Sequence, residues 1–350
     1  MKNILVINTG STSVKYKLFG PDEKQLKQGC FNNMQPDKAI KEILREVGDL
    51  GELDAIGHRV VHGGDKYIEP VVATEEIIKE LEEYNFLAPL HNPFNLAALK
   101  ASSEFLPNVK QVAVFDTAFY ADLPMEASKY ALPAEIIKKF NIKRYGFHGL
   151  SHNYVLLEAA KELKKNPEEI NLISCHLGGG WSITAMRQGK AIDTSMGWTP
   201  LEGLIMMTRA GDIDPSIVVN LIKNSDKDTT KEKCEEVYDI LNKESGLKAL
   251  SGGTSDYKEL IREVSLGNEQ SKLALDIAIY KLVKYIGAYW AVLEGSVEAI
   301  VFTGAVGAGI PLTREKVMNR LKYLGEVKVL AIKPDEELMI AREVKKIVSL

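Results

Sequence analysis

The segment "ILVINTGSTSVKYKLF" at residues 4–19 is an apolar strand, a polar turn of Gly, Ser and Thr, and a returning strand. The same grammar recurs at residues 171–186 as "NLISCHLGGGWSITAM". One copy falls in each half of the chain. A single copy would read as an ordinary hairpin. Two copies predict two related domains, each built on such a hairpin, with a cleft between them. Turns of small residues present backbone N–H groups with little steric bulk, which suits phosphate oxygens. A third glycine loop at 304–309 follows the apolar stretch "EAIVFT" and adds to that reading.

The remaining chain alternates strand and helix patterns, the signature of an α/β protein. Helical spacing runs over 36–50, 74–85, 93–104, 133–142, 229–243 and 269–294, and a long helix follows the turn at 144–148. Strand patterns cover 3–8, 13–19, the stretch from 54 towards the Gly63-Gly64 turn, and the run from 109 that ends on Asp116. With 350 residues the chain is long enough for two domains. Its net charge is −4 with both signs interspersed, so no basic patch marks a nucleic-acid partner. No apolar run reaches the length of a membrane span, and the first residues do not read as a secretory signal. Cys30, Cys175 and Cys234 are few and far apart, as expected of reduced thiols in a cytoplasm. Cys175, beside His176, reads as a buried structural cysteine at a strand end.

All six histidines lie between positions 58 and 176, in the stretches "GHRVVHGG", "LHNPFN", "GFHGLSH" and "CHLGGG". His148 and His152 have the spacing of helical zinc ligands, but residue 149 is glycine where a metalloprotease motif needs glutamate, so zinc is rejected. Arg59 stands near Gly63 and Gly64, and Arg209 lies in "MMTRAGDIDP". An arginine in such an apolar stretch is costly unless it meets an anion, either a ligand or a nearby carboxylate such as Asp65 for Arg59 and Asp212 for Arg209. Asp116 ends an apolar strand, where open α/β sheets place ligand-binding groups. Arginines, histidines, a carboxylate and glycine loops together are the equipment of phosphoryl transfer.

The blocks "VINTGSTSVKYKLF", "GHRVVHGG", "LAPLHNPFN", "VAVFDTAF", "YGFHGLSH", "CHLGGGWSI", "DTSMGWTPLEGLIMMTRAGDIDP", "IGAY" and "EELMIARE" resemble the acetate kinase family, in order and nearly end to end. The resemblance implies a duplicated actin-like (ribonuclease H-like) α/β fold of two domains with a central cleft. The N-terminal domain would hold residues 1–147 plus roughly 333–350, and the C-terminal, nucleotide-binding domain residues 148–332. It implies reversible transfer of a phosphoryl group from ATP to acetate, giving acetyl phosphate and ADP, in a cytoplasmic homodimer that uses Mg²⁺ or Mn²⁺. Carried over by residue, Arg59 would hold the acetate carboxylate, and Val61, Leu90, Phe147 and Pro200 would line the methyl pocket. Asp116 would be the catalytic carboxylate, with His148 and Arg209 stabilising the transferring group. Asn8 and Glu336 would serve the metal. Lys15, the loop His176, Leu177, Gly178, Gly179 and Gly180, the triplet Asp256, Tyr257 and Lys258, and the loop Ala305, Val306, Gly307, Ala308 and Gly309 would face the nucleotide.

The chain is shorter than is usual for that family, with the trimming expected after the first hairpin and between residues 315 and 330. Departures from the family pattern fall on the nucleotide side. Gly179 stands where the family has asparagine. Ala308 and Gly309 stand where it has glutamate and asparagine. Lys258 stands where it has arginine. ATP is therefore the expected donor, with another nucleotide or pyrophosphate as the alternative. Propionate or butyrate is the alternative acceptor. A non-catalytic nucleotide sensor is the reading from another class, and Asp116, His148 and Arg209 argue against it, because a pure binder has no use for a transition-state clamp.

Overall fold

The computed structural model describes residues 3–10, 13–48 and 53–349. The tip of the first hairpin, Ser11 and Thr12, and the last residues of the helix expected over 36–50 lie outside these. Two compact units form: Met1–Asp122, Phe147–Tyr154 and Pro334–Leu350 make one, and Leu123–Gly146 with Val155–Lys333 the other. Residues 123–146, which precede the expected division at 147/148, thus pack with the second unit.

The first unit holds strands β1 (Asn3–Thr9), β2 (Ser13–Phe19), β3 (Gln25–Asn32), β4 (Leu53–Val60), β5 (Val71–Val72) and β6 (Lys110–Phe115), in the sheet order β3-β2-β1-β4-β6-β5. The second holds β7 (Leu172–Leu177), β8 (Trp181–Arg187), β9 (Lys190–Thr194), β10 (Ala299–Thr303) and β11 (Lys328–Ala331), in the order β11-β10-β7-β8-β9. Apart from the short β5, the two sheets are built alike. An antiparallel meander (β1-β2-β3 or β7-β8-β9) is extended on the other side of its first strand by two parallel strands, β4 and β6 or β10 and β11. The parallel strands need helical crossovers, which is why helical sequence separates them.

Strand alternation sorts the side chains of the first sheet. Leu5, Ile7, Val14, Tyr16 and Leu18 pack with Ile40 and Ile43 of helix Pro36–Val47 into one core. Helix Glu336–Val348 covers the opposite face. It lies so close to β4 that a Cβ on Gly57 would fall 2.6 Å from Val344 and 2.8 Å from Ile340. That close approach delivers the helix's first residues to the ends of β1 and β4. Strand β3 escapes the sequence pattern because "QLKQGCFN" is an exposed edge with little apolar alternation.

His58 on β4 is buried, with its Nε2 2.8 Å from Gln111 Oε1. Burial, partly opposed by that hydrogen bond, lowers its pKa from 6.5 to about 4. The unfolded chain therefore binds a proton here before the folded one does. Stability is full above about pH 6.5 and falls as the pH drops towards 4, by about 3 kcal/mol from this group. Denaturant titrations of His58→Gln should show a shallower acid limb between those values than the parent. An unchanged limb would assign the acid sensitivity elsewhere.

Candidate active site

Three parallel strand ends and one helix start converge in the first unit. β1 supplies Asn8, β4 supplies Arg59, β6 runs out into Asp116, and helix Glu336–Val348 supplies Glu336 and Glu337. Arg59 Nε lies 3.2 Å from each oxygen of Asp116, and Nη2 donates to Oδ2 at 2.6 Å. Nη1 donates to Asn8 Oδ1 at 3.3 Å and stands 3.8 Å from Glu336 Oε2. The Asn8 amide in turn donates to Glu336 at 3.3 Å and Glu337 at 2.8 Å. The carboxylate that meets Arg59 is thus Asp116 rather than the sequence neighbour Asp65. Burial pushes the Asp116 carboxyl up from its usual range; Arg59 and a hydrogen bond from the His148 backbone oppose this, and Glu336 adds to it. Burial alone would lower the Arg59 pKa, but Asp116, Glu336 and Glu337 leave it raised.

The 3₁₀ turn Asp116–Tyr120 and the loop before helix Gly149–Leu163 lock together. A Cβ on Gly149 would sit 2.0 Å from the Asp116 carbonyl oxygen, so only glycine allows the approach. His148 adopts φ +59°, a left-handed conformation that costs a non-glycine residue about 1 kcal/mol or more and that functional sites retain. The Phe147 carbonyl accepts from Tyr120 Oη at 2.9 Å, and its ring meets the His62 ring edge at 5.7 Å. Val61 is buried, its amide donating to Asn95 Oδ1 at 3.1 Å, and Asn92 bonds both the N–H and the carbonyl of His62. Leu90, two positions before Asn92, is half-buried. Lys15 is exposed on β2 in register with Asn8, on the face where Lys17 pairs with Asp335 and Glu337 at 2.8 and 3.4 Å.

In the second unit, β7 leads through His176 and Leu177 into Gly178, Gly179 and Gly180. Trp181 Nε1 donates to the Gly178 carbonyl at 2.9 Å, and Gly178 N to Gly180 O at 3.1 Å, which closes the turn. A Cβ on Gly179 would meet nothing within 4 Å. Residues 304–307 form one helical turn rather than an open loop. Gly304 has φ +81°, and a Cβ there would lie 2.4 Å from the Leu177 carbonyl, so the two glycine segments nest. Arg314 Nη1 donates to the Gly307 and Ala308 carbonyls at 2.6 and 3.0 Å. Of the triplet 256–258, Asp256 caps helix Tyr257–Ser265 by accepting from Glu259 N, and Lys258 is exposed. Tyr257 is buried against Trp181 at 5.6 Å, its hydroxyl 2.9 Å from Thr313 Oγ1.

Arg209, also in the second unit, is half-buried. Nη1 donates to the Pro200 carbonyl at 3.2 Å and lies 3.9 Å from Met206 Sδ. Asp212 does not meet it: that carboxylate accepts from Gly203 N at 2.8 Å and Tyr285 Oη at 2.7 Å. With no carboxylate against it among the described residues, burial lowers the Arg209 pKa from the ordinary value, offset in part by Tyr238. Its loop is tied on both sides: Ala210 N donates to Leu241 O and Leu247 N to Met206 O, each at 2.9 Å.

Sequence reading missed Glu337, Lys17, Asn92, Asn95 and Gly149. Asn92 and Asn95 stand one helical turn apart in "HNPFN", a spacing that puts both on one face of their helix. Cys175 lies buried in β7 with burial pushing its thiol up, as expected of a structural cysteine. Among the described residues no group of three or more His, Cys, Asp or Glu forms a metal-binding cluster, and no helix is long and apolar enough to cross a membrane.

A profile of the acetokinase family matches residues 37–348. The acetate kinase of Thermotoga maritima is 44% identical over 402 aligned positions, covering 99% of this chain and 98% of that protein. The crystal structure of Porphyromonas gingivalis acetate kinase matches with a TM-score of 0.90 at 36% identity, over 99% of this chain and 100% of that one. A propionate kinase from Francisella tularensis matches at 0.90 and 35%, over 98% and 99%.

Proposed function

The chain belongs to the acetokinase family, with its duplicated actin-like fold and its phosphoryl transfer to acetate, and from that premise we propose that Arg59, Asp116, His148 and Arg209 carry the reaction. The observation that carries this reading is Arg209, a half-buried guanidinium bonded to a carbonyl and, among the described residues, facing no carboxylate. An anion arriving there gains from a cation that stays charged and has given none of its attraction to a protein counter-ion. The reaction joins two anions, acetate and a nucleotide phosphate, so the barrier is largely their repulsion.

Arg59 would hold the acetate carboxylate through the donors that Asp116 leaves available, while Asp116 fixes the plane of the guanidinium. Val61, Leu90, Phe147 and Pro200 would take the methyl group. Acetate is ionised at neutral pH, since a carboxyl group has a pKa near ~4. No base is needed, and Asp116 acts by position and charge. His148 and Arg209 would stabilise the transferring phosphoryl group.

Asn8 and Glu336 would serve a magnesium ion. Glu336 brings a carboxylate, and Asn8 an amide whose oxygen accepts from Arg59 Nη1 and whose nitrogen donates to Glu336, so Asn8 would have to turn its oxygen from Arg59 to the metal; magnesium needs one or two protein oxygens when waters and phosphates complete its shell. Manganese takes the same donors. The bound ion would neutralise charge on the nucleotide phosphates. Lys15 and the backbone of 176–180 and 304–309 would hold those phosphates, with Asp256, Tyr257 and Lys258 towards the nucleoside. Free thiols at Cys30, Cys175 and Cys234 support a cytoplasmic setting, and a homodimer is the assembly we propose.

Trapping acyl phosphate with hydroxylamine, using acetate and propionate against ATP, GTP, pyrophosphate and polyphosphate, tests the reading. Acetate with ATP should give product; none from any donor would remove it. Each hydrogen bond lost at Gly179, Lys258, Ala308 and Gly309 costs about 0.5–1.5 kcal/mol. ATP should therefore work with a high KM and poor discrimination from GTP. A KM for ATP well below ~0.1 mM with strong rejection of GTP would show that other residues compensate.

A further inference from the structure

We propose that Arg144 is a positioning residue for this reaction: it fixes the 194–202 segment, and through the Pro200 carbonyl it sets where Arg209 stands. The inference rests on the reading of Arg209 as the phosphoryl clamp.

Arg144 spends both terminal nitrogens on this segment. Nη1 donates towards the carbonyls of Thr194, Ser195 and Met196 at 3.1, 3.4 and 3.1 Å. Nε reaches the Ala127 carbonyl at 3.2 Å, and Nη2 the Glu202 carboxylate at 2.6 Å. The guanidinium lies over the Tyr130 ring at 5.6 Å, with its side chain 17% exposed. Tyr130 Oη donates to the other Glu202 oxygen and accepts from Trp198 N at 2.9 Å. Between them the chain is pressed so tightly that a Cβ on Gly197 would fall 1.7 Å from Glu202 Oε2 and 2.1 Å from Tyr130 Oη. Tyr145 N donates to the Gly197 carbonyl at 3.0 Å.

Irregular chain leaves its carbonyls without ladder partners, and a planar five-donor cation can collect several at once; an ammonium cannot match that geometry. Pro200 sits inside the clamped segment, between Trp198 and Glu202. Its carbonyl is the oxygen that receives Arg209 Nη1. Directly after Glu202, Gly203 and Asp212 bond in both directions, closing the loop that carries Arg209. The clamp therefore holds both the acceptor oxygen of Arg209 and the base of its loop. Its members come from residues 127–145 and 194–212, which explains why 123–146 packs with the second unit.

The test measures acyl phosphate formation by Arg144→Lys and Glu202→Gln, each alone and combined with Arg209→Ala, on protein shown by thermal melting to be folded. Each single variant should lose about tenfold or more in kcat with the KM for ATP within about twofold, and should lose little further in the Arg209→Ala background, because the two act as one unit. Glu202→Gln keeps an acceptor for Tyr130, so it gives the answer should Arg144→Lys not fold. Parental kcat in folded Arg144→Lys and Glu202→Gln, or losses that multiply with that of Arg209→Ala, would overturn the proposal. Full kcat in Arg209→Ala itself would overturn the reading of Arg209 and this inference with it, a result distinguishable because it needs no change at Arg144.

Discussion

Asp116→Asn is expected to lower kcat at least ~10²-fold, by a similar factor at every pH from about 6 to 8. The carboxylate is buried and accepts from Arg59 on both oxygens. Asparagine keeps the size but presents one acceptor and an N–H₂ group to the guanidinium, so the fork is lost. Because acetate arrives ionised, the loss comes from misplaced charge rather than from a missing base. The comparison is informative because burial raises the Asp116 pKa. Were the parent to show an ionisation between about pH 6 and 8 that Asp116→Asn abolishes, Asp116 would be acting as a general base.

Arg209→Ala is expected to lower kcat by ~10²-fold or more while the KM for acetate changes little, since its charge is used where charge develops. Arg59→Ala gives the contrast. It should raise the KM for acetate, and it should also lower kcat, because Asp116 is left buried without its partner and is driven towards its neutral form. That second loss should recover as the pH rises, since deprotonating Asp116 restores the charge. Kinetics indistinguishable between the two variants over the pH range would end the division of roles.

The duplication was legible because its signals are local. Strand alternation and turn chemistry lie within a few residues of one another, so "ILVINTGSTSVKYKLF" and "NLISCHLGGGWSITAM" announce β1-β2 and β7-β8 directly. The expected site residues came from the resemblance of whole blocks to a known family, which strand alternation and turn chemistry by themselves do not assign. The shared strand order of the two sheets gives that duplication its three-dimensional form. The edge strand β3 went unread because its exposed sequence carries little apolar alternation, and helix Glu336–Val348 entered only through the resemblance that placed 333–350 with the N-terminal domain.

Partners were decided only in three dimensions. Asp65 and Asp212 are near Arg59 and Arg209 in sequence, and the arginines meet neither in the expected way. Parallel register brings Arg59 opposite Val114 on β6, close to the exit of that strand into Asp116, 57 positions along the chain. Asp212 is taken up by Gly203 and Tyr285 and leaves Arg209 to the Pro200 carbonyl. Arg144 carries no motif that marks it, since its worth lies in carbonyls about fifty residues away. The sequence by itself determined the repeated strand-turn-strand pattern and the residue types a phosphoryl-transfer site needs, because hydrophobic period and turn preference act over short stretches. Tertiary structure decided which charges are paired and which remain to meet a ligand, because sheet register and close packing join residues that no local pattern connects.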